Sequence, residues 1–107
     1  MNIAWTTTAS RDEAEKLARL AVEEGLAACV QIEGPITSFY RWEGSVEKAG
    51  EFRLTFKVLR KNVLALKALG HRNHPYETPQ WTVADLADVG EPYRKWAESS
   101  SRELNMH

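Results

Sequence analysis

The stretch from Gly25 to Gly44, GLAACVQIEGPITSFYRWEG, constrains this chain more than any other. Read as an extended strand, it places Leu26, Ala28, Val30 and Ile32 on one face, and Ala27, Cys29, Gln31 and Glu33 on the other. Beyond the Gly34-Pro35 break, Ile36, Ser38, Tyr40 and Trp42 share one parity, and Thr37, Phe39, Arg41 and Glu43 the other. Successive side chains of a strand point to opposite faces, so both faces here carry apolar groups. A strand of that kind needs cover on both sides. The chain has 107 residues, enough for one core and not for two, so residues 1–107 are read as a single domain.

The flanking segments say what the first cover is. Ile3-Ala4-Trp5 followed by three threonines is β-branched and aromatic, a short first strand. Ser10-Arg11-Asp12-Glu13 matches a capping box, and Ala14, Leu17, Ala18, Ala21 and Val22 recur at helical spacing until Gly25 ends the helix. The organising strand comes next, with its proline marking an edge or a bulge. Glu43 to Gly50 is polar and glycine-bounded, which predicts a turn or loose hairpin tip; Glu51 to Leu59 then alternates as a clean strand. Asn62 is placed to cap a second helix with a broad apolar stripe over Val63, Leu64, Ala65, Leu66, Ala68 and Leu69. Gln80 to Val89 reads as a fourth strand, Gly90-Glu91-Pro92 opens a last short helix, and from Ser99 the tail is expected to fray.

The order β-α-β-β-α-β plus a C-terminal helix predicts an α+β fold. It is ferredoxin-like: a four-stranded antiparallel sheet with a long hairpin between strands two and three, both main helices on one face. Two helices cover only that face. The opposite face keeps Ala27, Cys29 and part of the aromatic content, and four tryptophans are more than one small core needs. Oligomerisation through the open face and the strand edges is the economical solution.

Charge excludes some functions. A formal net charge of −1 gives no electrostatic footprint for nucleic acid. One cysteine cannot form an internal disulfide and suits a reducing compartment. No apolar run reaches the length of a membrane span. A cytoplasmic protein is expected.

Four local signatures, EGLAACVQI, TSFYRWEGSVE, HPYETP and GEPYRKW, follow one another in an order that resembles the CutA family of divalent-cation tolerance proteins. The resemblance runs from Thr6-Thr7 to Trp96. It implies a ferredoxin-like protomer in a tight homotrimer, kinship in architecture with the PII signalling proteins, an association with copper or another divalent metal, and no enzymatic activity. Where the family's proposed copper ligands comprise a strand cysteine and a His-His pair, this chain has Thr6 and Asn73-His74. The usual glutamate after the second proline is Gln80, and the family's Asn-Ile and Pro-Gly become Gln31-Ile32 and Gly34-Pro35.

His74 is the best ligand candidate, since neutral imidazole binds copper and zinc; the alternative is a hydrogen bond that fixes its turn. Glu77, in the proline-bracketed segment, is the carboxylate best placed to join it, ahead of Glu43, Glu47 and Glu51. Tyr40, Trp42, Tyr76 and Trp81 are read as an aromatic-walled pocket or as interface packing. Cys29, flanked by Ala28 and Val30, reads as a buried structural residue. No glycine-rich phosphate loop, HExxH or CxxC is present. The sequence therefore points to a trimeric binding protein tied to metal tolerance. A PII-like module binding a metabolite between subunits is the alternative, and an enzyme using His74 and Glu77 at a subunit boundary ranks below both.

Overall fold

A computed structural model describes residues 1–74 and 76–102. Four strands, β1 (Asn2–Thr8), β2 (Cys29–Trp42), β3 (Ser45–Val58) and β4 (Thr82–Asp85), form one antiparallel sheet in the order β2-β3-β1-β4. Helices α1 (Arg11–Glu23) and α2 (Val63–Asn73) are the two crossovers, and α3 (Glu91–Ser100) follows β4. This is the ferredoxin-like α+β arrangement with an added C-terminal helix.

Local chemistry fixes α1 at both ends. Ser10 Oγ accepts from the Glu13 amide at 3.1 Å, satisfying one of the free N–H groups of the first turn. The reciprocal arm of the capping box is not made; Glu13 Oε1 is buried without a partner. At the other end the amides of Gly25 and Leu26 donate to the carbonyls of Val22 and Ala21, closing a Schellman motif. The Arg102 amide then donates to the Gly25 carbonyl at 2.7 Å, so the end of the described chain is tied to the α1–β2 junction. The fraying expected from Ser99 is corrected accordingly: α3 runs to Ser100, and residues 103–107 of the expected tail lie outside the described residues.

Alternation decides the core. Leu54, Phe56 and Val58 of β3 and Ala4 of β1 are fully buried against Ala14, Leu17 and Ala21 of α1 and Leu66 and Leu69 of α2, with Val30 and Ile32 of β2 packed alongside. The apolar stripe of α2 is narrower than expected, because Leu64 is 79% exposed. Asn62 occupies the N-cap position of α2 but makes no side-chain capping bond: it ends a 3-10 turn over Arg60–Asn62, its side chain is fully buried, and neither amide atom has a partner among the described residues. Ala27 also belongs to the core rather than the open face, because β2 begins only at Cys29 and the Ala27 amide still donates to Ala21 of α1.

The polar segment Glu43–Gly50 is not a loop. Only Glu43 and Gly44 turn, with φ of 49° and 82°, and β3 starts at Ser45. Positive φ at both central residues is the signature of a type I′ turn, whose twist lets two strands continue without splaying. The polarity of this segment reflects exposure, and its backbone bonds cross to β2. The expected fourth strand, Gln80–Val89, contracts to Thr82–Asp85 for a related reason: its partner β1 runs out at Asn2, opposite Asp85. The Gln80 carbonyl, for its part, is taken by Thr6 Oγ1 at 2.6 Å.

A register shift between Glu33 and Ile36 marks the bulge, where the Gly34-Pro35 peptide is cis. Past it, β2 and β3 leave the sheet as a two-stranded ribbon. β1 pairs with β3 only from Phe52 onward, so residues 45–51 bond to β2 alone.

Candidate functional site

The end of β1, the start of the ribbon and the segment after α2 meet around His74. Its Nε2 lies 2.7 Å from the Thr7 carbonyl oxygen and its Nδ1 lies 3.1 Å from the Tyr76 amide nitrogen. An amide can only donate, so Nδ1 accepts and Nε2–H donates to Thr7. Burial lowers the pKa of His74 from 6.5 and outweighs the opposing effects of the Thr7 carbonyl, Glu13 and Glu51; His71 acts with burial. Neutral imidazole is the form these bonds require, because a proton on Nδ1 would face an N–H group.

Tyr76 extends the tie to β3. Its ring lies 4.9 Å from that of His74, and its hydroxyl donates to Glu51 Oε2 at 3.0 Å. Burial, and secondly the hydrogen bond to Glu51, push the phenol well above its ordinary pKa, so Tyr76 stays a donor. Residues 76–80 are thereby held against β1 and β3. Between them and the ribbon lies an open groove of about 850 Å³.

Three of the four predicted pocket aromatics, Tyr40, Trp42 and Tyr76, line this groove together with Glu51, Glu77 and Thr7. Trp81 does not. It packs toward the core, its ring 6.0 Å from Phe56 and 6.2 Å from His71. Thr7 was not marked by any local pattern; the contact that brings it here spans 67 residues.

The two predicted metal ligands face different spaces. Glu77 lines the groove, whereas His74 borders a small void with Thr6, His71 and Trp81. Each position to which the resemblance assigns a copper ligand already serves the backbone: Thr6 donates to Gln80, the Asn73 amide donates to the Leu69 carbonyl at 2.9 Å, and His74 uses both nitrogens. Among the described residues no group of three or more His, Cys, Asp or Glu side chains comes together to hold a metal ion. These residues do not fit a ready-made divalent-metal site within one protomer.

Cys29 departs from the expected buried position. It is a free, partly buried thiol beside the Tyr93 hydroxyl of α3. Burial, then Cys29, raise the Tyr93 pKa. No helix among the described residues is long and apolar enough to cross a membrane.

Residues 2–100 match the family profile described as CutA1 divalent ion tolerance protein. The divalent-cation tolerance protein CutA of Yersinia pestis (strain Pestoides F) is 35% identical over 98 residues, covering 92% of this chain and 82% of that protein. A chloroplastic CutA protein of Arabidopsis thaliana is 32% identical over 100 residues, which span 94% of this chain but 55% of that longer protein. The crystal structure of CutA1 from Pyrococcus horikoshii, 30% identical, superposes with a TM-score of 0.93 over 96% of this chain and 100% of that one.

Proposed function

Given that this chain belongs to the CutA1 divalent ion tolerance family, we propose that it acts in divalent-cation tolerance, copper included, as a non-enzymatic homotrimeric binding protein. The observation that carries this reading is the ribbon. Residues 37–50 project beyond the sheet with both outer edges unpaired among the described residues of the protomer, and Phe39 and Val46 on one of its faces are each 68% exposed. Long unpaired strand edges with apolar side chains template pairing with another chain. A closed ring of copies satisfies them without leaving a free edge, whereas an open-ended stack would polymerise.

The metal role is supported by kinship rather than by a built site. Thr6, Asn73 and His74 hold the turn after α2, so tolerance in this reading depends on the assembled protein and not on an ion resident in one protomer. A single free cysteine suits a reducing compartment such as the cytoplasm. Light scattering at micromolar concentration tests the assembly: a mass about three times 12.1 kDa is expected, and the mass of one protomer overturns it.

One observation favours the second reading, a PII-like small-ligand module. It is the 850 Å³ groove, a volume within the range of small-molecule sites.

A further inference from the structure

We propose that the face of α2 turned away from the sheet docks a short acidic peptide segment of a partner protein, one that carries an apolar side chain between its carboxylates. The inference rests on neither the ribbon nor a metal, and it adds an interaction surface to the family role.

Charge in this chain is unevenly placed. Residues 52–76 hold six of its 14 lysines and arginines and none of its 15 acidic residues, although the net charge of the whole is −1. Arg53 and Lys57 sit on β3 and bond to Glu33 and Gln31 of β2. The other four, Arg60, Lys61, Lys67 and Arg72, are exposed on α2 and on the 3-10 turn that leads into it. On α1 and α3, by contrast, Arg11 pairs with Glu15, Arg19 with Glu23, and Arg94 with Glu91 and Glu98. Helix α2 has no acid to offer, and Lys67 and Arg72 make no ion pair among the described residues.

An apolar residue lies inside this positive surface. Leu64 is 79% exposed, more than any other large hydrophobic side chain among the described residues. Neighbours on a helix surface stand three and four positions apart, which places Arg60, Lys61, Lys67 and Ala68 around it. Leu66 and Leu69 already fill the side of α2 that meets the sheet, so the core makes no use of Leu64.

The surroundings select the partner. A neutral apolar surface would strip water from the cations and return no counter-charge. A nucleic acid held by its phosphates would run onto α1, which packs alongside and exposes Asp12, Glu15 and Glu23. Nor does α2 carry a Phe, Tyr or Trp on which a base could stack. A membrane surface asks for a broad apolar face, and Leu64 is the one large apolar side chain fully exposed along α2. A peptide meets both demands: its carboxylates reach Lys61, Lys67 and Arg72 while a leucine between them covers Leu64. From Arg60 to Arg72 the face runs about 18 Å, the length of about three helical turns.

Fluorescence anisotropy of a labelled peptide, Glu-Glu-Leu-Leu-Glu-Glu, titrated with the full chain at low salt should give a saturable curve that weakens as salt is raised. The same peptide with glutamine in place of every glutamate should bind at least about tenfold more weakly. Lys67→Glu should weaken the acidic peptide about tenfold and Leu64→Ala about fivefold, with circular dichroism unchanged. Lys95→Glu, an equal charge change on α3, should leave binding as in wild type. No saturable binding, equal binding of the glutamine peptide, or a loss at Lys95 as large as at Lys67 overturns the proposal. So does Lys67-dependent binding of phosphatidylserine vesicles or of a single-stranded RNA by a chain that ignores the peptide, which would make this face a membrane or RNA site instead.

Discussion

His74 uses both ring nitrogens on backbone partners that join β1 to the segment after α2. Two consequences follow at this residue. Its folded pKa lies below 6.5, so the unfolded chain takes up the proton more readily. The stability it contributes is fully present above about pH 6.5 and is lost as pH falls from there through the folded value. Melting temperature should therefore decline in wild type below about pH 6.5, and His74→Gln should flatten that decline; parallel pH profiles would remove His74 as its cause. Secondly, Cu(II) calorimetry should give the same heat for wild type and His74→Ala, whereas loss of heat in the variant would restore the imidazole as a ligand. The sequence identified His74 and offered both roles. It could not decide between them, because the Thr7 carbonyl that engages the ring is 67 positions away. Ser10, by contrast, was legible from four adjacent residues, since an N-cap is local chemistry. Cys29 is partly buried in the protomer, and its neighbour Tyr93 reaches it only through the packing of α3, which no local pattern announces.

Among the elements, the bulge in β2 is the point on which the ribbon depends. Gly34 has φ of 152°, and a Cβ built there would lie 2.6 Å from Phe52 Cδ2 and 3.0 Å from the Glu51 carbonyl oxygen. Phe52 packs against the core, so it cannot move aside freely. Gly34→Ala should cost about 2–4 kcal/mol of unfolding free energy, from strain and overpacking together. Gly44→Ala meets no atom within 4 Å and bears only the penalty of φ 82°, about 1 kcal/mol. Urea midpoints should rank wild type above Gly44→Ala above Gly34→Ala, and equal midpoints for the two variants would refute the crowding at Gly34. Element order and type were readable because hydrophobic periodicity changes from two to nearly four and back. Two boundaries were not. A ribbon wet on both faces is polar like a loop, and β4 stops where its partner stops, which no property of residues 86–89 announces.

On the scale of the whole molecule, the ribbon makes the protomer long: its extents are 47 × 29 × 23 Å and its radius of gyration is 14.7 Å. A compact domain of this length would have about 13 Å. The excess area has no cover in the protomer, which is what the two apolar parities of Gly25–Gly44 implied. Replacing Phe39 and Val46 with lysine puts like charges on the outward face of the ribbon without touching the core. The double variant should scatter as a single 12.1 kDa protomer with an X-ray radius of gyration near 14.7 Å; a mass unchanged from wild type would place the assembly surface elsewhere. The groove is the part least visible in the sequence. Tyr40, Trp42, Tyr76 and Glu77 could be picked out by residue type, but Thr7 and Glu51 join them only once β1, β3 and the segment after α2 are brought together.

The tight turn at Glu43-Gly44 also bears on the order of events during folding. β2 and β3 meet across a two-residue connection, whereas Asn2 and Asp85 must find each other across nearly the whole chain. Closing a short loop costs far less entropy than closing a long one, so the hairpin can zip from its tip before β1 and β4 complete the sheet. Nascent chains would then display the ribbon's free edges ahead of a finished core. Copies refolding together at high concentration have their mutual recognition surface ready first, which makes the yield of refolding sensitive to concentration in a way that the Phe39 and Val46 lysine variant should relieve.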